Sequence, residues 1–267
     1  MMSLPFFQVD SFADRPFTGN PAAVVLLPVG TVLDDATLLA IAAENNLSET
    51  AFLCPDDPER RLRWLTPTVE VDLCGHATLA TAHVLFEQGL VTEDVVEFTT
   101  RSGVVAVRRL SNGWLELDFP SRPVEAVEPP PGLAEALGRP LDELHFSVEN
   151  YLVVVGSERE VRELRPDFGA LATAVPHGVI VTAPGDDEHD FVSRYFVPSC
   201  GIDEDPVTGS AHCTTAPYWA RRLGRRELRA RQVSRRGGEL RCIDRDDRVG
   251  IAGRAVTVIE GRLSLTA

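Results

Sequence analysis

Two stretches of the chain repeat one pattern of residues. Residues 72–89 (DLCGHATLATAHVLFEQG) and 203–224 (DEDPVTGSAHCTTAPYWARRLG) each run from acidic residues through a glycine into small and apolar residues. The first stretch has no formally charged side chain between Ala77 and Phe86. A helix that is apolar on all sides has no face for water and belongs inside a core. The sequence therefore predicts two buried central helices, at 76–88 and 209–223.

The start of a buried helix is also suited to binding an anion. The first four backbone N–H groups have no partner within the helix, and that end carries roughly half a positive charge. Gly75 and Gly209 stand at the two predicted starts and would let a ligand come close to the backbone. We expect the two starts to face one another and to form one cleft for a carboxylate.

The two stretches can be aligned as a weak internal repeat. Residues 75–77 (GHA) fall on residues 209–211 (GSA), and 80–82 (ATA) on 214–216 (TTA). The period is about half the chain, which predicts two similar halves. Chance similarity between two Ala/Thr-rich helices is the alternative. Pro217 departs from the first copy, because proline inside a helix removes a hydrogen bond.

Composition and length limit the class of protein. A chain of 267 residues, 44% of them hydrophobic, can form one large domain or two of ordinary size. The proline-rich stretch 120–131 predicts a boundary, with halves at 1–120 and 121–255, and the last strand near 256–267 is expected to return to the first half. A net charge of −14 argues against nucleic acid and anionic membranes as partners.

The cysteine content and the absence of targeting signals predict a cytoplasmic protein. There is no run of 18 apolar residues and no signal peptide pattern at the start of the sequence. The five cysteines are odd in number and lack C-x-x-C spacing. This pattern favours free thiols in a reducing compartment over a disulfide framework or a zinc site.

Missing residues and motifs exclude several kinds of chemistry. The sequence contains no lysine, so Schiff-base chemistry and lysine-linked pyridoxal phosphate are excluded. It has neither a G-x-G-x-x-G dinucleotide loop nor a G-x-x-x-x-G-K-[ST] phosphate loop, and its six histidines include no H-E-x-x-H. We therefore expect no cofactor and no metal.

Two polar residues stand at junctions between predicted elements. Glu49 lies between a helix and a strand, where a carboxylate is either exposed on an edge or placed for proton transfer. Asn20 enters a predicted apolar strand, where it acts either as a turn residue or as a contact to a ligand. The residues alone leave both alternatives open.

Four separated motifs resemble one known family. They are residues 19–24 (GNPAAV), 46–50 (NLSET), 72–78 (DLCGHAT) and 204–212 (EDPVTGSAH), in the family's order and spacing. The chain resembles the PhzF-like (phenazine biosynthesis) isomerases, which share the diaminopimelate epimerase fold. This resemblance implies an α+β fold with two pseudo-repeated halves, each a curled, mostly antiparallel β-sheet wrapped around a central helix. It also implies a homodimer.

The resemblance implies roles for particular residues. Glu49 corresponds to the general acid/base that moves a proton between substrate carbons. The other residues implied to act in catalysis, by binding the substrate or relaying protons, are His76, Asp205 and Ser210. The residues implied to bind the substrate are Asn20, Gly75, Thr208 and Gly209.

The implied activity is that of a cofactor-independent isomerase acting on a small, cyclic or unsaturated carboxylate. The family's reaction isomerises trans-2,3-dihydro-3-hydroxyanthranilate. One alternative is an amino-acid epimerase of the diaminopimelate epimerase type, which needs a cysteine at each helix start; Cys74 is present, but the second start carries Asp205 and Ser210. Another alternative is a non-catalytic binder of small carboxylates.

Overall fold

The computed structural model describes residues 2–186 and 188–265, and these residues confirm the expected α+β class. The α-helices are α1 (Asp35–Asn45), α2 (Gly75–Glu87), α3 (Leu133–Leu137), α4 (Glu158–Glu163), α5 (Phe168–Ala174) and α6 (Gly209–Leu223). The first nine strands are β1 (Met2–Ser11), β2 (Asn20–Leu26), β3 (Glu49–Leu53), β4 (Leu62–Leu65), β5 (Glu70–Val71), β6 (Val95–Thr100), β7 (Gly103–Arg109), β8 (Leu115–Pro120) and β9 (Glu125–Ala126). The others are β10 (Glu143–Ser147), β11 (Asn150–Val154), β12 (Gly178–Pro184), β13 (Phe191–Val197), β14 (Ile202–Asp205), β15 (Glu227–Gln232), β16 (Gly238–Asp244), β17 (Arg248–Gly253) and β18 (Ala255–Leu265).

The chain divides into two compact units. The first contains Met1–Asp118 together with Ala252–Ala267, and the second contains Phe119–Ile251. Each unit has a sheet and one central helix, α2 in the first and α6 in the second. The sequence predicted these helices at 76–88 and 209–223. In the structure, α2 spans Gly75–Glu87 and α6 spans Gly209–Leu223.

The first unit is built on a six-stranded sheet with the order β18-β1-β2-β3-β4-β5. All neighbours are antiparallel except β2 and β3, which are parallel and connected through α1. Strand β18 pairs with β1 over its length, from Ala255 opposite Ser11 to Leu265 opposite Met2. Residues 266 and 267 of the strand expected near 256–267 lie outside the described residues. Strands β6, β7 and β8 form an antiparallel meander.

Helix α2 is buried on nearly all sides, as its sequence predicts. Nine of its thirteen residues are buried, and it packs against β1, β2, β3 and β18. Its two buried threonines bond to the carbonyl four residues earlier: Thr78 Oγ1 to Cys74 O at 2.5 Å and Thr81 Oγ1 to Ala77 O at 2.7 Å. The hydroxyls are thus satisfied without water, so the helix can lie inside the core.

The second unit carries a sheet with the order β17-β16-β15-β13-β12-β11-β10-β9, and β14 pairs with β13. The β11–β12 and β13–β15 pairs are parallel, and α6 packs against β11, β15 and β16. Nine of the fifteen residues of α6 are buried. The indole of Trp219 donates to Thr182 Oγ1 at 2.9 Å, which fixes the helix on the sheet.

Pro217 is accommodated inside α6 by a hydrogen bond from outside the helix. Proline has no N–H, so the carbonyl of Cys213, four residues earlier, loses its helical partner. The backbone N–H of Arg122 donates to this Cys213 oxygen at 2.9 Å. The helix therefore continues through the proline without leaving a buried carbonyl unpaired.

No helix within residues 2–186 and 188–265 is both long and apolar enough to cross a membrane.

Candidate active site

The expected site residues fall into two groups, one in each unit. In the first unit, the β2–β3 pairing places Glu49 opposite Ala22, two residues beyond Asn20 in the neighbouring strand. Helix α2 begins at Gly75 and brings His76 to the end of the sheet where β2 and β3 begin, and Ser11 Oγ donates to the His76 carbonyl at 2.7 Å. Glu49, His76 and Asn20 are thereby brought together.

The imidazole of His76 is the centre of the first group. Its Nε2 lies 3.1 Å from Glu49 Oε2, although neither atom has a well-aligned hydrogen bond, so this contact is mainly electrostatic. Its Nδ1 lies 3.3 Å from Asn20 Nδ2 and 3.6 Å from Cys74 Sγ. An amide N–H and a thiol S–H are donors, so Nδ1 accepts and the proton of the neutral ring is on Nε2, facing Glu49.

Neighbouring groups favour the charged form of His76. Burial alone would lower the pKa of this imidazole, but the adjacent Cys74 sulfur and Glu49 carboxylate outweigh burial and raise the pKa well above its ordinary value. The imidazolium needs an acceptor at Nδ1, which Asn20 provides when its amide is turned by 180°. Burial, followed by the charge of Glu49, raises the pKa of the Cys74 thiol.

Glu49, Cys74 and His76 could also be considered as metal ligands. Their donor atoms lie within 4.8 Å of one another, the one such group in the part of the chain that the structure describes. However, the sulfur lies beside Nδ1 and the carboxylate oxygen beside Nε2. A metal binds one ring nitrogen, so this arrangement suits hydrogen bonding along the ring better than coordination around a single point.

The second group surrounds the start of α6. Asp205 ends β14, and Thr208 is the residue immediately before the helix. Thr208 Oγ1 donates to Asp205 Oδ2 in a short hydrogen bond. Gln232 joins the two: its Oε1 accepts from Thr208 N at 2.8 Å, and its Nε2 donates to the Asp205 carbonyl at 2.8 Å. The structure brings Asp205, Thr208, Gly209 and Ser210 together in this unit.

Ser210 has a free side chain in this group. It is half-buried in the first turn of α6, and its hydroxyl forms no hydrogen bond with any residue that the structure describes. The loop before it is fixed from the end of β15, because Ser234 Oγ donates to the Pro206 carbonyl at 2.6 Å. A rigid loop followed by a free hydroxyl and helix-start N–H groups can receive an oxyanion.

Three supporting residues were not identified from the sequence. Ser11 holds the start of α2, while Gln232 and Ser234 hold the loop before α6. Gln232 is fully buried, although glutamine is mostly exposed in proteins. In the sequence, Gln232 and Ser234 lie in the stretch 232–238 (QVSRRGG), which gives no partner for either side chain.

His212 is buried and serves packing. Its Nδ1 donates to the Thr208 carbonyl at 2.8 Å, and its ring lies 5.9 Å from that of Phe191. Burial is the main cause that lowers the pKa of His212 from 6.5 to about 4. The imidazole is therefore neutral at physiological pH.

The lowered pKa predicts a loss of stability in acid. The unfolded chain takes up a proton on His212 near pH 6.5, and the folded chain does so only near pH 4. The contribution of the neutral His212 to the free energy of unfolding is therefore fully present above pH 6.5 and is lost as the pH falls towards 4. The expected loss is about 3 kcal/mol. His212→Asn keeps a donor for Thr208 but cannot titrate. Urea unfolding at pH 7, 6, 5 and 4 should show that the free energy of unfolding falls less with pH in this variant than in the wild type. If the free energies of the two proteins fall in parallel, the lowered pKa of His212 is contradicted.

Comparison with known proteins agrees with this fold. A family model described as phenazine biosynthesis-like protein matches residues 9–261. A Pseudomonas aeruginosa protein named uncharacterized isomerase is 52% identical over 264 residues, which cover 99% of this chain and 100% of that protein. The solved structure of a PhzF family protein from Enterococcus faecalis has a TM-score of 0.93 at 45% identity, covering 99% of this chain and 100% of that one.

A more distant structure shows how widely the fold is shared. A probable proline racemase from Agrobacterium radiobacter covers 98% of this chain and 93% of its own, with a TM-score of 0.63 at 13% identity. The chain is thus an α+β protein with the diaminopimelate epimerase-like fold, built from two pseudo-repeated halves. It belongs to the phenazine biosynthesis-like (PhzF) family. Family membership supports an isomerase-type activity at the level of the family.

Proposed function

We propose that this protein is a cofactor-independent isomerase that moves a proton between carbons of a small, cyclic or unsaturated carboxylate, with Glu49 as the general acid/base. The observation that carries the proposal is the 3.1 Å approach of Glu49 Oε2 to His76 Nε2 beside the start of α2. The Glu49 side chain is only 14% exposed, and the imidazole 7%. A carboxylate beside a ring N–H in a largely dry place is suited to taking up and returning a proton.

The proposed reaction uses groups that are already in position. Glu49 takes a proton from a carbon next to a double bond, and the negative charge spreads towards the substrate carboxylate. The Nε2–H of His76 and the N–H groups at the start of α2, beginning with Gly75, stabilise that charge because they are fixed before the reaction. Glu49 then returns the proton to another carbon. Asn20 keeps the His76 ring in place.

The second group is proposed to act in the same reaction. Asp205 and Ser210 would bind the substrate or relay protons, while the backbone N–H groups at Thr208 and Gly209 would favour an anionic group. If so, Asp205→Asn and Ser210→Ala each lower turnover on the substrate that Glu49 acts on.

A homodimer is proposed as the working assembly, and light scattering of the purified protein measures its mass.

Proton exchange in deuterated water tests the proposed function. The protein is incubated with trans-2,3-dihydro-3-hydroxyanthranilate and a panel of small cyclic and unsaturated carboxylates, and deuterium uptake at carbon is followed by NMR. We expect uptake at an allylic carbon with at least one member, without added cofactor, and its loss in Glu49→Gln. A panel without uptake, or uptake unchanged in Glu49→Gln, would refute the proposal.

The second candidate is an epimerase that uses Cys74. Cys74 Sγ lies 3.6 Å from His76 Nδ1, a distance compatible with proton transfer through the ring. Against this role, the pKa of the thiol is raised, and the residue before α6 is Thr208 rather than a second cysteine. Deuterium incorporation at a stereocentre that is lost in Cys74→Ala but kept in Glu49→Gln would favour the epimerase.

A further inference from the structure

The loop between β1 and β2, residues 12–19, presents one aromatic ring to solvent. Phe17 is 75% exposed, and every other Phe, Tyr or Trp side chain of the protein is buried or half-buried. An exposed phenylalanine contributes no burial of its own to the folding of the chain. Its placement therefore calls for an explanation other than core packing.

The backbone of Phe17 is also in an unfavourable conformation. Its φ is +70°, in the left-handed region that disfavours bulky side chains. Phe12, in the same loop, has a φ of +58°, but its ring is 1% exposed, so core burial offsets the strain. Phe17 has no such compensation. Strain that persists without local gain is typical of functional positions.

The conformation of Phe17 is maintained by its surroundings. Its N–H donates to Asp10 Oδ2 at 2.7 Å, and Asp10 is only 1% exposed. Gly19, two residues later, has a φ of +64°, and a Cβ at that position would lie 2.1 Å from the Ser11 carbonyl oxygen. A buried carboxylate and a position that admits only glycine therefore fix the backbone of this loop, and the Phe17 side chain is exposed on it.

Both ends of this loop contact the imidazole-bearing residue of the first site. Ser11 Oγ donates to the His76 carbonyl, and Asn20 Nδ2 lies 3.3 Å from His76 Nδ1. Ser11 and Asn20 are paired across β1 and β2. Phe17 is three residues before Asn20, a distance of at most about 10 Å along the chain. The loop that carries Phe17 is therefore attached on both sides to the His76 end of the first site.

We propose that Phe17 is a specificity-determining residue whose ring covers the flat face of a cyclic, unsaturated carboxylate. The inference rests on the proposed function of Glu49 and His76, and it names the class of substrate. The carboxylate end of the substrate is held by fixed N–H groups, while its unsaturated ring needs an apolar surface. An aromatic ring provides one, through offset or edge-to-face contact.

Binding of two probes tests this inference. Cyclohex-1-ene-1-carboxylate has the ring, and (E)-hex-3-enoate has a double bond without a ring. Calorimetry with Phe17→Ala is expected to show about 10-fold or more weaker binding of the ring probe, and a much smaller change for the open-chain probe. Phe17→Tyr keeps the ring and the preference. Val32→Ala is the matched control, because Val32 is 91% exposed beyond the far end of β2.

A further variant separates binding from stability. Phe17→Asn suits the left-handed backbone, so its melting temperature is expected to equal or exceed that of the wild type while the ring preference is lost. The inference would be overturned if Phe17→Ala weakened the binding of both probes equally or left both affinities unchanged. It would also be overturned if this variant changed the oligomeric mass of the protein while the affinities stayed the same. A wild type that does not bind the ring probe would overturn it as well. If the wild-type protein exchanges deuterium on ring substrates but Phe17→Ala still prefers the ring probe to the open-chain probe, only this inference fails. If the wild-type protein exchanges no deuterium at all, the proposed function fails.

Discussion

Replacing Glu49 by glutamine is expected to lower the rate of proton exchange by about 10²–10⁴-fold, the usual contribution of a general acid/base. The amide has nearly the same shape as the carboxylate but cannot accept a proton from carbon. Binding of substrate is expected to survive, because the helix-start N–H groups and His76 are unchanged. The loss should therefore appear in kcat rather than in KM.

The structure offers a matched control for this variant. Glu44 is exposed on α1, five residues before Glu49, and Glu44→Gln makes the same chemical change away from His76. We expect wild-type exchange in this control. Glu49→Asp keeps the charge but withdraws it by one methylene, so a partial loss is expected. Exchange in Glu49→Gln within a factor of two of the wild type would remove Glu49 from the mechanism.

Replacing Gln232 by leucine is expected to destabilise the second unit and reduce turnover together. The change removes the acceptor of Thr208 N and the donor to the Asp205 carbonyl, both in the interior. A buried polar group without a partner costs about 1–3 kcal/mol, so a loss of about 3 kcal/mol is expected. The start of α6 would also lose the contact that fixes it.

Two further variants separate these effects. Gln232→Glu keeps an acceptor for Thr208 but loses the donor to Asp205, so its stability should lie between those of wild type and Gln232→Leu. Gln88→Leu is the control, because Gln88 is exposed at the end of α2. Urea unfolding gives the stability, and deuterium exchange gives the turnover. If Gln232→Leu has the wild-type midpoint and the wild-type rate, Gln232 has neither function.

The elements of the fold were largely evident in the sequence, because their signals are local. The uncharged run from Ala77 to Phe86 predicts a buried helix wherever it lies, and α2 confirms it. The motif around Glu49 marks a junction between helix and strand, which the structure has at α1 and β3. Such features depend on residues close together in the chain.

The supporting contacts were not evident because their partners are distant in sequence. Gln232 bonds to Thr208, 24 residues away, and Ser11 bonds to His76, 65 residues away. Only strand register brings them together, and a single sequence does not show register. The amide of Asn20 illustrates the limit: the sequence left open a turn and a ligand contact, and it did not show that this amide lies against His76.

The pairing of β1 with β18 has a consequence for synthesis on the ribosome. Strand β1 emerges early, but one of its edges has no neighbour until residues 255–265 have been made. The segment from Phe119 to Ile251 is continuous, so that unit can form while the edge of β1 is still open. An open strand edge invites pairing with other chains, and nascent chains of this protein therefore need protection until translation passes Leu265.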